Sequence, residues 1–232
     1  MIFGSGLIPV LLFAMICQWM VKSRYNKYSR VMSQTGMTGA DAAWRLLQLN
    51  GITDVKIKRI SGTLTDHYDP TNKEICLSEG VFDSRSIAAI GIACHEAGHA
   101  CQHAEGYAPL RFRNAVIPIT RIGSWLGIPL CLIGIYLADI SRTASDLGQT
   151  IALIGLILYL FVALFQLVTL PVEFNASHRA LATIRANNFL IGAEYDGAKK
   201  VLTAAALTYV AALLSSLRVV LILLRNMRRF SR

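Results

Sequence analysis

The sequence predicts a mainly α membrane protein, with about four transmembrane helices and a small α+β domain carrying an HExxH helix. Three observations predict it. The 232 residues are 54% apolar and 16% charged, with a mean hydropathy of +0.47, too apolar for an ordinary soluble domain and the opposite of a disordered chain. The apolar residues gather into runs long enough to cross a hydrocarbon core of ~30 Å. Residues 22–122, between the first two runs, have the mixed patterning of one small domain. The net charge of +9 comes from 23 Lys and Arg against 14 Asp and Glu. These cations flank apolar runs and make no basic stripe with interleaved aromatics, so they point to membrane orientation and not to nucleic acid. Five cysteines, none spaced as a disulfide framework or a CxxC knuckle, fit a reducing compartment.

Taken in order, residues 1–21 read as an N-terminal transmembrane anchor, with the apolar run at 3–21. It has neither a basic leader nor a small-residue cleavage site, and Lys22, Arg24, Lys27 and Arg30 follow it, which suits a retained anchor with that end in the cytoplasm. Within 22–122, Thr38 and Asp41 predict a capping box for a helix to about Leu49, with Gly51 as its stop. Residues 55–60 and 75–77 predict short strands, with Asp69, Pro70, Thr71 and Asn72 as turn residues, in a hairpin or small sheet. From Ser86 to Ala104 the pattern is helical, with Ser84 or Ser86 as cap and Gly106 as stop, and Pro109 begins a further segment.

The runs 123–140 and 149–170 predict a transmembrane hairpin over 123–170, its polar link on the outer side. Residues 171–200 form a loop or helix on the same cytoplasmic side as 22–121. Residues 201–224 are a fourth membrane segment, although Ser215, Ser216 and Arg218 fall in its second half and an arginine at mid-membrane is costly. The basic tail 225–232 would lie outside if that segment crosses once, against the positive-inside rule, so the segment either crosses or re-enters.

The chemistry sits on one helix. His95, Glu96, Ala97, Gly98 and His99 spell HExxH, which places two imidazoles one turn apart on one face. Bonds of ~2.0–2.1 Å from two imidazole nitrogens to one Zn2+ per chain leave room for a third protein ligand and a water, the open arrangement of a catalytic site. Glu96 adjoins the first ligand and is placed to act as general base on that water, whose pKa zinc lowers to ~7. Gly98 costs ~1 kcal/mol relative to Ala inside a helix, an outlay that makes sense if a neighbouring backbone must approach closely. His103 lies ~12 Å from His95 along the helix axis and cannot close the same tetrahedron, so it reads as a polar residue near the helix end.

A third ligand must come from elsewhere. Glu173 is the foremost candidate, since it follows the third apolar run on the side predicted for His95, at the start of a helix that Pro171 could open. Glu194 and Asp196 are alternatives, while Glu105 is too close in sequence to fold back. His67, Tyr68, His178 and Arg179 are candidate donors to a developing oxyanion. The short strands offer a free edge to an extended peptide, and Cys94 and Cys101 read as core.

HEAGH followed by QHAEGYAPLRFR, LPVEFNASHRAL after two apolar runs, and LTDHYDP upstream together resemble the YugP-type bacterial membrane zinc metallopeptidases, over about residues 22–210. The resemblance implies a neutral zinc endopeptidase. The same segments are more distantly similar to the membrane gluzincins of the HtpX and CAAX-prenyl protease group, whose third ligand is a glutamate opening an E-x-x-A-D helix. Glu173 and Ala176 match that pattern, which implies Glu173 as the ligand. Ser177 stands where that group has an aspartate orienting a zinc-bound histidine, and it would hold the ring more weakly.

The expectation is therefore a multi-pass protein of the cell membrane, with a zincin-like catalytic domain over 22–122 on the cytoplasmic face, cleaving peptides or proteins near the bilayer. An intramembrane-cleaving zinc protease is the alternative enzyme, but the apolar run 87–94 before His95 is too short to span. A non-catalytic zinc-binding scaffold or a metal transporter would not need a general base at Glu96. No G-x-x-x-x-G-K-[ST] loop occurs, so no ATP coupling is expected.

Overall fold

The computed structural model describes residues 7–140 and 145–227. They fall into two compact units, one of residues 17–111 and 171–208, the other of residues 7–16, 112–140, 145–170 and 209–227.

The first unit contains the HExxH motif. Helix α1 (Ile8–Tyr28) leads into it; the start of the run 3–21 lies outside the described residues. Helix α2 (Gly39–Leu49) opens with the expected capping box, Thr38 Oγ1 accepting from the Asp41 amide at 3.1 Å and Asp41 Oδ2 from the Thr38 amide at 3.0 Å. Gly51 ends it at φ +67°. Strands β1 (Lys56–Ile60), β2 (His67–Asp69) and β3 (Glu74–Ser78) make a sheet in the order β1-β3-β2, with β1 parallel and β2 antiparallel to β3. The hairpin therefore joins β2 to β3. Its turn is held by Asp69, whose carboxylate accepts from the amides of Thr71 at 2.8 Å and Asn72 at 3.3 Å. The two stretches that the sequence predicts as strands are the parallel neighbours, and the three residues of β2 are too few to carry a periodicity. Asp66 ties the sheet together, accepting from the Ser78 amide at 2.7 Å and the Ser78 hydroxyl at 3.0 Å.

After a single turn, α3 (Glu79–Phe82), helix α4 (Ile87–Ala104) is capped by Ser86, whose hydroxyl accepts from the Ala89 amide at 3.2 Å. Gly106 follows at φ +65°. Nearly all of α4 is buried, against α2, α3, β2 and β3. Leu46, Leu47, Ile75, Leu77, Ile90, Ile184, Phe189 and Leu190 form the centre of this core.

Helices α5 (Ala108–Ile140), α6 (Ser145–Ala186) and α7 (Ala193–Met227) are the three described helices long and apolar enough to cross a membrane. The expected helix start at Pro171 is corrected: Pro171 lies inside α6. The ring forfeits one backbone hydrogen bond. A break in an apolar helix would strand several backbone groups away from water, which costs more than one missing donor. In the second unit α5 and α6 meet through glycines. A Cβ on Gly155 would lie 2.5 Å from the Cys131 nitrogen and 2.7 Å from the Gly127 oxygen, and one on Gly134 would press on the Ala152 backbone. Val220 and Leu223 of α7 pack with Cys131, Leu156 and Tyr159. Trp125, Tyr136, Leu153 and Ile157 face outward, as lipid contact requires. Ser215 and Ser216 bond back to the carbonyls of Ala211 and Leu213 at 2.8 and 2.9 Å, which makes them tolerable in an apolar helix.

Candidate metal centre

Helix α4 carries His95 and His99 on one face, their rings edge to face with centroids 4.7 Å apart. Helix α6 brings Glu173 to them. Its Oε2 lies 3.3 Å from His95 Nε2 and 3.6 Å from His99 Nε2, and one ligand atom of each residue falls within 4.8 Å of the others. Donors bound at ~2.0–2.1 Å around a tetrahedral zinc stand ~3.3 Å apart, so this spacing fits the ion. Burial would push the Glu173 carboxyl up, but hydrogen bonds from the two imidazoles hold it well below the usual carboxylate range. The site favours a carboxylate facing positive charge.

The outer nitrogens decide which lone pairs face inward. His99 Nδ1 is 3.0 Å from Gln102 Oε1. Gln102 is fully buried, and its Nε2 donates to the Val172 carbonyl at 2.8 Å and to Asn175 Oδ1 at 2.9 Å. Two acceptors on that nitrogen fix the amide, so Oε1 accepts from His99 Nδ1–H, and a metal taking the place of the Nε2 proton would meet the Nε2 lone pair beside Glu173. Ser177 Oγ stands 3.1 Å from His95 Nδ1, where it can accept from that ring in the same way. Asn175 Oδ1 also accepts from Arg179 Nε at 2.8 Å, and the Arg179 guanidinium grips Glu105 at 2.6 and 2.7 Å. A polar chain thus runs from His99 to the protein surface.

Gly98 permits this closeness. A Cβ there would lie 2.7 Å from the carbonyl oxygen of Ala176, so the approach of a neighbouring backbone expected from sequence is the one that brings α6 onto α4. Glu96 is buried, 8% exposed, and among the described residues its carboxylate has no protein hydrogen-bond partner. A carboxylate without a protein donor, close enough for its charge to act on His99, is available to a water.

A model of the family described as "Putative neutral zinc metallopeptidase" matches residues 4–228. The chain belongs to this family. It is also similar to a Bacillus subtilis (strain 168) protein described as "Putative membrane protease YugP", with 46% identity over 200 residues that cover 86% of this chain and 85% of that one. No solved structure matches. A peptidase-family chain with three apolar helices among its described residues and an HExxH cluster completed by Glu173 is a membrane-associated zinc-peptidase-like enzyme.

The other candidates are dispersed. Glu194 is buried at the start of α7, where its Oε1 accepts from the Gln34 amide at 2.9 Å, and Asp196 is exposed; neither belongs to the cluster. His67 is exposed with Nδ1 2.9 Å from the Thr65 carbonyl, and His178 is exposed on α6. Tyr68 lies 2.7 Å from His103 Nδ1. Burial, then the charges of Asp54 and Asp69, push its phenol up to about 12, so the hydroxyl keeps its proton and the tautomer of His103 sets the direction of that bond. His103 is thereby partnered outside the metal cluster. Gln102 and Asn175 carried no signal in the sequence reading, although Gln102 sits at i+3 from His99 on the ligand face.

Proposed function

We propose that the protein is a membrane-anchored metalloendopeptidase that holds one Zn2+ per chain through His95 Nε2, His99 Nε2 and a Glu173 carboxylate oxygen, and that Glu96 is its general base. The observation that carries this reading is the convergence of those three donors on one point, next to Glu96, whose charge acts on His99. Bound there, zinc would polarise the scissile carbonyl and acidify the attacking water. Glu96 takes a proton from that water as its oxygen bonds to the carbonyl carbon. It then returns the proton to the amide nitrogen as the C–N bond breaks, so it serves as base and then as acid. Gln102 and Ser177 keep the two imidazoles turned so that both Nε2 lone pairs face inward.

The membrane part of the reading adds a fourth span at 3–21 to the three apolar helices, and a catalytic unit on the cytoplasmic face, supported by Lys22, Arg24, Lys27 and Arg30 after the first run. Substrates are then peptides or proteins at the bilayer surface. Glu96→Gln tests the chemistry. It should keep one zinc per chain by mass spectrometry while peptide hydrolysis falls ~10²- to 10⁴-fold; undiminished hydrolysis would remove Glu96 as base.

A further inference from the structure

Within the unit that holds the metal cluster, α1 and α7 flank a surface cavity of about 480 Å³, open to solvent at its charged residues, that none of the metal-site residues lines. Its lining is a single stripe on each helix: Met20 and Arg24 on α1, and Asp196, Lys199, Lys200, Thr203, Ala204 and Leu207 on α7. The cavity has a charged end and an apolar end. A Cβ on Gly197 would lie 2.8 Å from the Tyr28 ring, which fixes how the two helices pass each other. One turn further along each, Arg24 comes level with Lys200, and one more turn sets Met20 level with Ala204. Among the described residues, the side chains of Arg24, Lys199 and Lys200 are in no ion pair and no hydrogen bond. Three cations against the single carboxylate of Asp196 leave a net charge of +2 around one cavity, a repulsion that an anion would relieve.

The sequence places this cavity at a membrane border. The apolar run of the first helix ends at Val21, just before Arg24, and that of α7 begins at Val201, just after Lys200. Phosphate groups of a leaflet lie at that level, and basic pockets between membrane helices are suited to anionic head groups. We propose that the cavity binds an anionic phospholipid, with its phosphate held by Arg24, Lys199 and Lys200 and its acyl chain against Met20, Ala204 and Leu207. The guanidinium supplies the forked donor for two phosphate oxygens, the ammonium groups supply point charge, and the Thr203 hydroxyl is a further donor. A free phosphate shares the charged end but leaves the apolar end unused. This site is independent of the peptidase reading.

The test uses the full-length protein in nanodiscs of phosphatidylcholine mixed with phosphatidylglycerol, with retained lipid counted by native mass spectrometry. Wild type should keep one phosphatidylglycerol per chain. Arg24→Gln/Lys199→Gln/Lys200→Gln should bind it about fivefold more weakly per cation removed, at ~1 kcal/mol each, while Lys22→Gln/Lys27→Gln/Arg30→Gln, equal in charge lost but outside the cavity, should keep it. Equal loss in both triple variants would overturn the proposal in favour of general surface charge. So would equal retention of phosphatidylcholine, or inorganic phosphate in detergent binding as tightly as phosphatidylglycerol. Circular dichroism checks folding of the variants; if the triple variant unfolds, Lys200→Gln alone, an exposed position, carries the same comparison.

Discussion

The two units use the same device, a helix stripped to glycine at a crossing, for different ends. In the unit of α5, the first part of α6 and the end of α7, Gly127, Gly134, Gly148 and Gly155 let helix backbones touch. Lipid offers no hydrophobic drive for helices to associate, so close backbone packing is itself the source of cohesion there. In the other unit cohesion comes from a core of Leu, Ile and Phe, and Gly98 adds little to it. What Gly98 permits is the approach of Ala176, and with Ala176 the neighbouring Glu173 and Ser177, to the histidines of α4. One set of glycines holds helices together, and the other positions chemistry.

The largest expected effect tests the positioning role at its end product. Glu173→Ala should lower zinc from one per chain to a small fraction, with hydrolysis falling in step, while Glu194→Ala should keep the metal. Full zinc in the first would sever the link between the α6 approach and the site. Next comes the contrast itself. Gly98→Ala puts a methyl 2.7 Å from a backbone oxygen and should displace α6 enough to reduce kcat/KM ~10²-fold. Gly155→Ala meets backbone at 2.5 Å in the other unit and should instead lower stability in detergent by ~1–3 kcal/mol, with the remaining folded protein fully active and zinc-loaded. If both variants gave one pattern, the division of labour would be wrong. Gln102→Leu should weaken zinc binding ~10- to 100-fold, because His99 loses the acceptor that fixes its tautomer and Asn175 loses one of its two donors; a chelator competition titration reads this directly.

What was legible in the sequence were features decided by near neighbours. The Thr38–Asp41 capping box, the Ser86 cap, the stops at Gly51 and Gly106 and the HExxH face of α4 each depend on residues within a turn or two, and all appear where local chemistry puts them. The parallel pairing of β1 with β3 depends on a partner 18 residues away in register, Lys56 with Glu74, and β2 exists only because β3 lies beside it. Pro171 reads locally as a helix start, yet the apolar surroundings of α6 keep the helix whole. Glu173 was reachable through its position after an apolar run and through resemblance. Gln102 was not, since its role is set by Val172 and Asn175, which are 70 and 73 residues away.

The smallest effect sharpens the comparison by asking how far the polar chain behind His99 matters. Its last link, Arg179 with Glu105, has near-ideal forked geometry at 2.6 and 2.7 Å, but the Glu105 side chain is 54% exposed, so the pair is worth at most ~1 kcal/mol. The Arg179 guanidinium holds the Glu105 carboxyl below its ordinary value of 4.5. A carboxyl whose folded pKa is depressed contributes fully above its unfolded pKa and loses that contribution as pH falls through the folded value. Glu105→Gln should therefore lower the urea midpoint slightly at neutral pH, and the gap from wild type should close as the pH drops below about 4. Zinc affinity should change by less than about fivefold, because Gln102 keeps both of its acceptors whether or not Arg179 is anchored. A larger loss of zinc in Glu105→Gln would mean that the orientation of His99 is set from the protein surface, and that the catalytic unit depends on an exposed ion pair where the apolar unit depends only on packing.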